Sequence, residues 1–241
     1  MHALQADWLA GRVDLAIDLA RPPIDRPGQP DKPQLIPPQQ VPRRRADTQV
    51  GRVALIHALA HIEFNAINLA LDAAHRFPGM PPAYYADWLR VADEEASHFD
   101  VLNAHLATLG HAYGDFPAHN GLWDMALKTA HDPLVRMALV PRVLEARGLD
   151  ATPLIAGKLK AVNDTRMIEI LGMIERDEIG HVAIGNRWFG WLCQVRGLAP
   201  ETTFRQLLLE YDAPPLRPPF NLEARRAAGF SESELDWLSG L

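Results

Sequence analysis

Residues 94–98 and 177–181 read Glu-Glu-Ala-Ser-His and Asp-Glu-Ile-Gly-His, and these two stretches decide the fold that the sequence predicts. Each contains a Glu-x-x-His motif, Glu95 to His98 in the first and Glu178 to His181 in the second. A spacing of three residues in an α-helix places carboxylate and imidazole on one face, where both can reach the same metal centre. We therefore predict a metal-binding helix at each motif.

The two motifs belong to a longer repeat. Glu63 precedes Glu95 by 32 residues, and Glu145 precedes Glu178 by 33. Glu63 also lies on the apolar face of its helix, where an unpaired carboxylate would be costly to bury or would be forced to protonate. Four helices that each contribute one Glu, two of them with an added His, match the ligand set of carboxylate-bridged di-iron and di-manganese proteins. The predicted metal ligands are Glu63, Glu95, His98, Glu145, Glu178 and His181.

Acidic residues directly precede both motif glutamates. In a four-helix bundle, Glu94 and Asp177 would point toward the neighbouring motif helix. We predict that Asp177 accepts a hydrogen bond from His98 and that Glu94 accepts one from His181, which would fix the orientation of each ring. The alternative is that both are exposed helix charges.

The charge of the predicted ligand set indicates which metal it would hold. Four carboxylates and two neutral imidazoles carry −4, which two divalent ions neutralise. Calcium prefers more oxygen ligands, and structural zinc prefers thiolate or more imidazole. We predict two iron ions, with manganese or a mixed manganese and iron pair as alternatives.

The helical pattern extends over most of the chain and predicts an all-α protein. Residues 1–20 read as an amphipathic helix, and residues 21–42 contain eight prolines and little periodicity. Pro141 predicts a kink or a break in the helical stretch 121–147. The predicted domains are an N-terminal helix with a Pro-rich connection (1–46), a four-helix bundle (47–212) and a C-terminal helical tail packed on the bundle (213–241).

Composition excludes several classes of protein. Of 241 residues, 48% are hydrophobic and 22% are charged, which indicates a packed globular chain. The net charge of −6 and the single basic run 43–45 give no strong signal for nucleic-acid binding. A single cysteine, Cys193, excludes all-thiolate zinc sites and cysteine-ligated iron–sulfur clusters, and is best read as a small buried hydrophobe. No run of eighteen apolar residues occurs, so we expect a cytoplasmic protein that does not span a membrane.

Four segments together resemble one known family. They are RVADEEASHFDVL (90–102), VPRVLEARGLD (140–150), RDEIGHVAIGNRWF (176–189) and PPFN (218–221). They are similar to the ferritin-like family catalogued as domain of unknown function 455, and the resemblance runs from about residue 50 to the C-terminus. It implies a ferritin-like bundle with a di-metal centre on the six predicted ligands, in which Glu95 and Glu178 bridge the ions. It implies no substrate.

The function expected from these residues is oxidation chemistry. The leading hypothesis is a di-iron oxidoreductase that activates dioxygen or peroxide to oxidise or hydroxylate a small or RNA-borne substrate. No flavin or nicotinamide fingerprint is present, so an external electron donor or reductase is expected. The alternatives are iron oxidation for storage or detoxification, and a structural helical protein stapled by metal. We expect a monomer or small homo-oligomer, because the added terminal segments would cover bundle faces that a closed ferritin shell needs.

Overall fold

The computed structural model describes residues 2–13, 22, 24–42 and 44–241, and the regular secondary structure of these ranges is helical. Within these ranges the only β-type pairing is an isolated bridge between Leu35 and Ala118. The predicted all-α class is confirmed. The first predicted helix is observed only in its N-terminal part, and residues 14–20 of that prediction lie outside the described residues, as does Arg43 of the basic run. The α-helices are α1 (His2–Leu9), α2 (Gln49–Arg76), α3 (Pro82–Thr108), α4 (Gly121–Lys128), α5 (Pro133–Leu139), α6 (Ala146–Lys160), α7 (Thr165–Arg196), α8 (Pro200–Glu210), α9 (Leu222–Ala227) and α10 (Glu232–Ser239).

The chain divides into two compact units. Unit 1 comprises Met1–Lys128 with Ala161–Asn163, and unit 2 comprises Thr129–Lys160 with Asp164–Leu241. The range predicted for the bundle, 47–212, contains parts of both units. Helices α2 and α3 therefore belong to unit 1, whereas the segment around Glu145 and helix α7 belong to unit 2.

Unit 1 is built on a hairpin of α2 and α3. The Thr48 side chain caps α2 by accepting a hydrogen bond from the Gly51 N–H at 3.1 Å. Helix α3 starts at Pro82, where the missing N–H would have no helical partner in any case. The buried Tyr85 hydroxyl donates to the Phe77 carbonyl at 3.0 Å, which fixes the turn between the helices. The hairpin places Glu63 and Glu95 on adjacent helices.

Helix α2 is the one helix of the described ranges that is long and apolar enough to cross a membrane. This is weak evidence, because 56% of its most apolar window is buried inside the protein. Five of its buried residues are polar or charged, as expected of a core helix with a polar site and not of a lipid-facing one. They are His57, His61, Glu63, Asn65 and Asp72.

In unit 2 a π-helical segment, Val140–Glu145, joins α5 to α6 and carries Glu145 at its last position. The Ala146 N–H donates to the Pro141 carbonyl, five residues earlier, which is the hydrogen bond of a π-helix. The helix is therefore irregular at Pro141, as predicted, but its turn widens to the π form and the helix does not break. A Cβ added to Gly185 on α7 would lie 2.3 Å from the Pro141 Cβ, so the π-segment contacts α7 at a position that only glycine allows.

A buried arginine ties the π-segment to the C-terminal helices of unit 2. Arg142, 4% exposed, donates from Nη1 to the Asn186 Oδ1 at 2.6 Å, and its Nη2 forms an ion pair with Glu234. Glu234 is also the N3 residue of the α10 capping box with Ser231. The guanidinium carbon lies over three rings at 4.3 to 4.9 Å, those of Phe189, Phe204 and Phe230.

Candidate metal centre

Unit 1 brings three of the six predicted ligands together in its interior. Glu63 from α2 is 4% exposed, and Glu95 and His98 from α3 are 0% and 1% exposed. His98 Nδ1 lies 3.2 Å from the Glu95 Oε2 and 3.4 Å from the Glu63 Oε2. These side chains could hold a metal ion, since each offers a ligand atom and the three atoms lie within 4.8 Å of one another.

The spacing of these ligand atoms is close to that of a loaded site. Atoms that share one ion at about 2.1 Å are separated by at most about 4.2 Å. A small contraction would therefore suffice to bind an ion. The donors are two carboxylates and one imidazole, a set that suits iron or manganese better than calcium or structural zinc.

The two carboxylates of this cluster favour a positive charge on His98. Burial lowers the pKa of His98, but hydrogen bonds and charge from Glu63 and Glu95 outweigh burial and raise it to about 11. The imidazole is then protonated at neutral pH and donates from Nδ1 to a carboxylate. A proton thus supplies the charge that a metal ion would bring.

Unit 2 carries the other three predicted ligands, and two of them lie close together. His181, fully buried on α7, has its Nδ1 3.6 Å from the Glu178 Oε1, and the Glu178 side chain is 14% exposed. Glu145 is partly buried at the end of the π-segment. Among the described residues of this unit, the three side chains do not form a group with all ligand atoms within 4.8 Å. The structure therefore pairs Glu178 with His181 and leaves the role of Glu145 a prediction.

The two acidic residues that precede the motif glutamates are partly buried. Glu94 lies on α3 of unit 1, and Asp177 lies on α7 of unit 2. Both take part in polar or electrostatic interactions of their own. Their predicted hydrogen bonds to His181 and His98 join residues of different units and stay predictions.

A second polar group in unit 1 was missed by the sequence analysis. His61 Nδ1 lies 2.8 Å from the Tyr113 hydroxyl, and His57 Nε2 accepts a hydrogen bond from the Gly114 N–H at 2.9 Å. Burial lowers the pKa of His57 to about 4, so this ring is neutral. The i, i+4 spacing of the two histidines was the available signal. Tyr113, the partner of His61, lies 52 residues away in the chain, in a loop without periodicity.

Aromatic rings connect Tyr113 to the neighbours of the candidate ligands. Its ring centroid lies 5.5 Å from that of Phe64 and 5.1 Å from that of Phe99. These phenylalanines directly follow Glu63 and His98 in the chain. The helix faces beside the cluster are therefore packed with apolar rings, and burial raises the pKa of the Tyr113 phenol.

Comparisons with known proteins give the family. Residues 1–236 match the family described as "Protein of unknown function (DUF455)", and the chain belongs to this family. It is also 53% identical over 216 residues to an "Uncharacterized protein" of Haemophilus influenzae. That alignment covers 87% of this chain and 75% of the Haemophilus protein. No solved structure matches the chain. The resemblance to domain of unknown function 455 is confirmed, and the match begins at residue 1 instead of at about residue 50.

Proposed function

We propose that this protein is a ferritin-like di-metal oxidoreductase whose physiological metal is iron. The observation that carries the proposal is the buried cluster of Glu63, Glu95 and His98 in unit 1. Two carboxylates without access to solvent are strongly disfavoured unless cations compensate them. A structural core would more simply contain apolar residues at these positions.

The proposal joins this cluster to the ligands of unit 2 in one dinuclear centre. Its support is the sequence repeat, in which Glu145, Glu178 and His181 recur at almost the same spacing as the three residues of unit 1. The close pair of Glu178 and His181, with its buried imidazole, is the counterpart of Glu95 and His98. Glu95 and Glu178 are proposed as the bridging carboxylates.

The chain's own residues would bind the ions, orient their ligands and exclude water. Bound iron would supply the redox electrons for reaction with dioxygen or peroxide. Apolar packing beside the ligands, including the rings of Phe64 and Phe99, lowers the local dielectric and keeps bulk water out. Glu94 and Asp177 are proposed to accept hydrogen bonds from the ligand imidazoles and so to fix their rings.

The substrate is a small or RNA-borne organic molecule, and electrons come from an external donor or reductase. The protein acts in the cytoplasm as a monomer or small homo-oligomer.

An anaerobic titration with Fe(II), followed by exposure to oxygen, tests the proposal. We expect two Fe(II) per chain and an optical change on oxidation. Glu95→Ala should lose most of both ions, because a bridging ligand serves two metals. Glu169→Ala is the matched control, since that carboxylate lies on α7 with 67% of its side chain exposed. Circular dichroism verifies that both variants are folded. Binding of one ion or none, or full binding by Glu95→Ala, would contradict the dinuclear centre.

Iron storage and a structural metal are distinguished by further measurements. A storage protein would form a large closed shell and retain soluble iron far beyond two ions per chain, which size-exclusion chromatography with iron loading detects. A structural metal would raise the unfolding temperature but would not react with oxygen. Repeated turnover with an external reductant supports the oxidoreductase.

A further inference from the structure

A cavity of about 300 Å³ lies within unit 2, and none of the candidate metal ligands lines it. One wall is formed by the π-segment and α6, and the other by the proline-rich segment 214–219. Its volume is at the lower end of the range for small-molecule sites. Val143, Leu154 and four prolines make much of the lining apolar.

The charged residues of this lining leave an excess of positive charge. Arg225, 1% exposed, binds Asp150 through two hydrogen bonds, Nε to Oδ1 at 3.0 Å and Nη2 to Oδ2 at 2.6 Å. The same carboxylate also accepts the Asn221 N–H at 2.9 Å. The Asp150 carboxylate is therefore occupied by Arg225 and Asn221, and it does not neutralise the other two cavity arginines.

Those two arginines, Arg147 and Arg217, are solvent-exposed and line the cavity from opposite walls. Neither makes an ion pair or a side-chain hydrogen bond with any residue in the described part of the chain. Each guanidinium is free to form the paired hydrogen bonds that match a carboxylate or a phosphate.

The walls are held in place before any ligand binds. Phe220 packs against the Arg225 guanidinium at 5.3 Å, and Asn221 caps α9 by accepting the Ala224 N–H at 3.2 Å. The proline-rich wall is therefore anchored to the same buried arginine that binds Asp150. Such preorganisation lowers the entropic cost of binding.

We propose that this cavity binds a small organic anion, with its carboxylate or phosphate between Arg147 and Arg217 and its apolar part against Leu154 and the prolines. The site requires no metal. The proposal therefore stands independently of the proposed oxidoreductase function.

Isothermal titration calorimetry of the full chain tests the site at low ionic strength, with phenylacetate and phenyl phosphate as probes. At least one should bind saturably at one per chain, with benzyl alcohol and inorganic phosphate much weaker. The preferred probe distinguishes a carboxylate from a phosphate ligand. Arg147→Ala and Arg217→Ala should each weaken binding roughly tenfold, because each removes a charge-assisted hydrogen-bond donor. Higher salt should weaken it as well.

Two further variants keep the test specific. Ala151→Phe fills the cavity without changing its charge and should abolish binding. Arg90→Ala removes an exposed arginine of unit 1 and should leave binding unchanged. No saturable binding of either probe up to about 10 mM would overturn the proposal, as would equal losses in Arg90→Ala and the cavity variants.

Discussion

Gly185→Ala should destabilise unit 2, although it places a better helix former in the middle of α7. The new Cβ would lie 2.3 Å from the Pro141 Cβ and 2.4 Å from its Cγ. Carbon atoms pack at about 3.5 Å or more, so the helices must separate by roughly 1.2 Å. The proline ring is fixed to the backbone and cannot rotate away. Overpacking of this kind costs about 3 kcal/mol, and the gain in helix propensity offsets about 1 kcal/mol, so we expect a net loss of about 2 kcal/mol.

Gly190→Ala on the same helix is the matched control, since its Cβ would meet no atom within 4 Å. This variant should gain about 1 kcal/mol from helix propensity alone. Urea unfolding followed by circular dichroism measures both variants against the parent chain. The two substitutions are chemically identical, so their opposite signs would isolate the contact with Pro141. If Gly185→Ala were as stable as Gly190→Ala, the close approach of the π-segment to α7 would be refuted.

Three further outcomes are expected. The pKa of His57 is lowered from 6.5 to about 4, so the stabilisation from its neutral form is complete above pH 6.5 and is lost as pH falls toward 4. Over this pH range the urea midpoint of unfolding should drop less in His57→Gln than in the parent chain. The glutamine amide oxygen of that variant can still accept from the Gly114 N–H. Arg142→Ala should lower the free energy of unfolding by about 3 to 5 kcal/mol, because it leaves Glu234 buried without its cation. Thermal unfolding of Arg142→Ala and of Arg142→Lys, which retains the charge, distinguishes the loss of charge from the loss of packing. If Asp177 orients a ligand imidazole as proposed, Asp177→Ala should weaken iron binding about 10 to 100-fold in equilibrium dialysis, whereas unchanged affinity would return this residue to a surface role.

The sequence predicted the parts of the site that depend on local periodicity. The buried, helical positions of Glu63, Glu95 and His98 follow from helical spacing and, for Glu63, from its apolar helix face. Cys193 is buried, as its apolar surroundings predicted.

The features that sequence analysis missed join residues distant in the chain. No local pattern in the sequence indicates that Arg142 pairs with Glu234, 92 residues later. The π-helical form at Pro141 depends on contact with a glycine on another helix. Neither contact has a periodic signature.

The link between Arg142 and Glu234 also constrains how the polypeptide can fold while it is being made. At translation rates of 5 to 20 residues per second, the 92 residues between them take roughly 5 to 20 s to synthesise. All three rings that enclose the guanidinium, those of Phe189, Phe204 and Phe230, also emerge after it. The core of unit 2 therefore closes only after α10 has left the ribosome, and until then its apolar helices are available to chaperones.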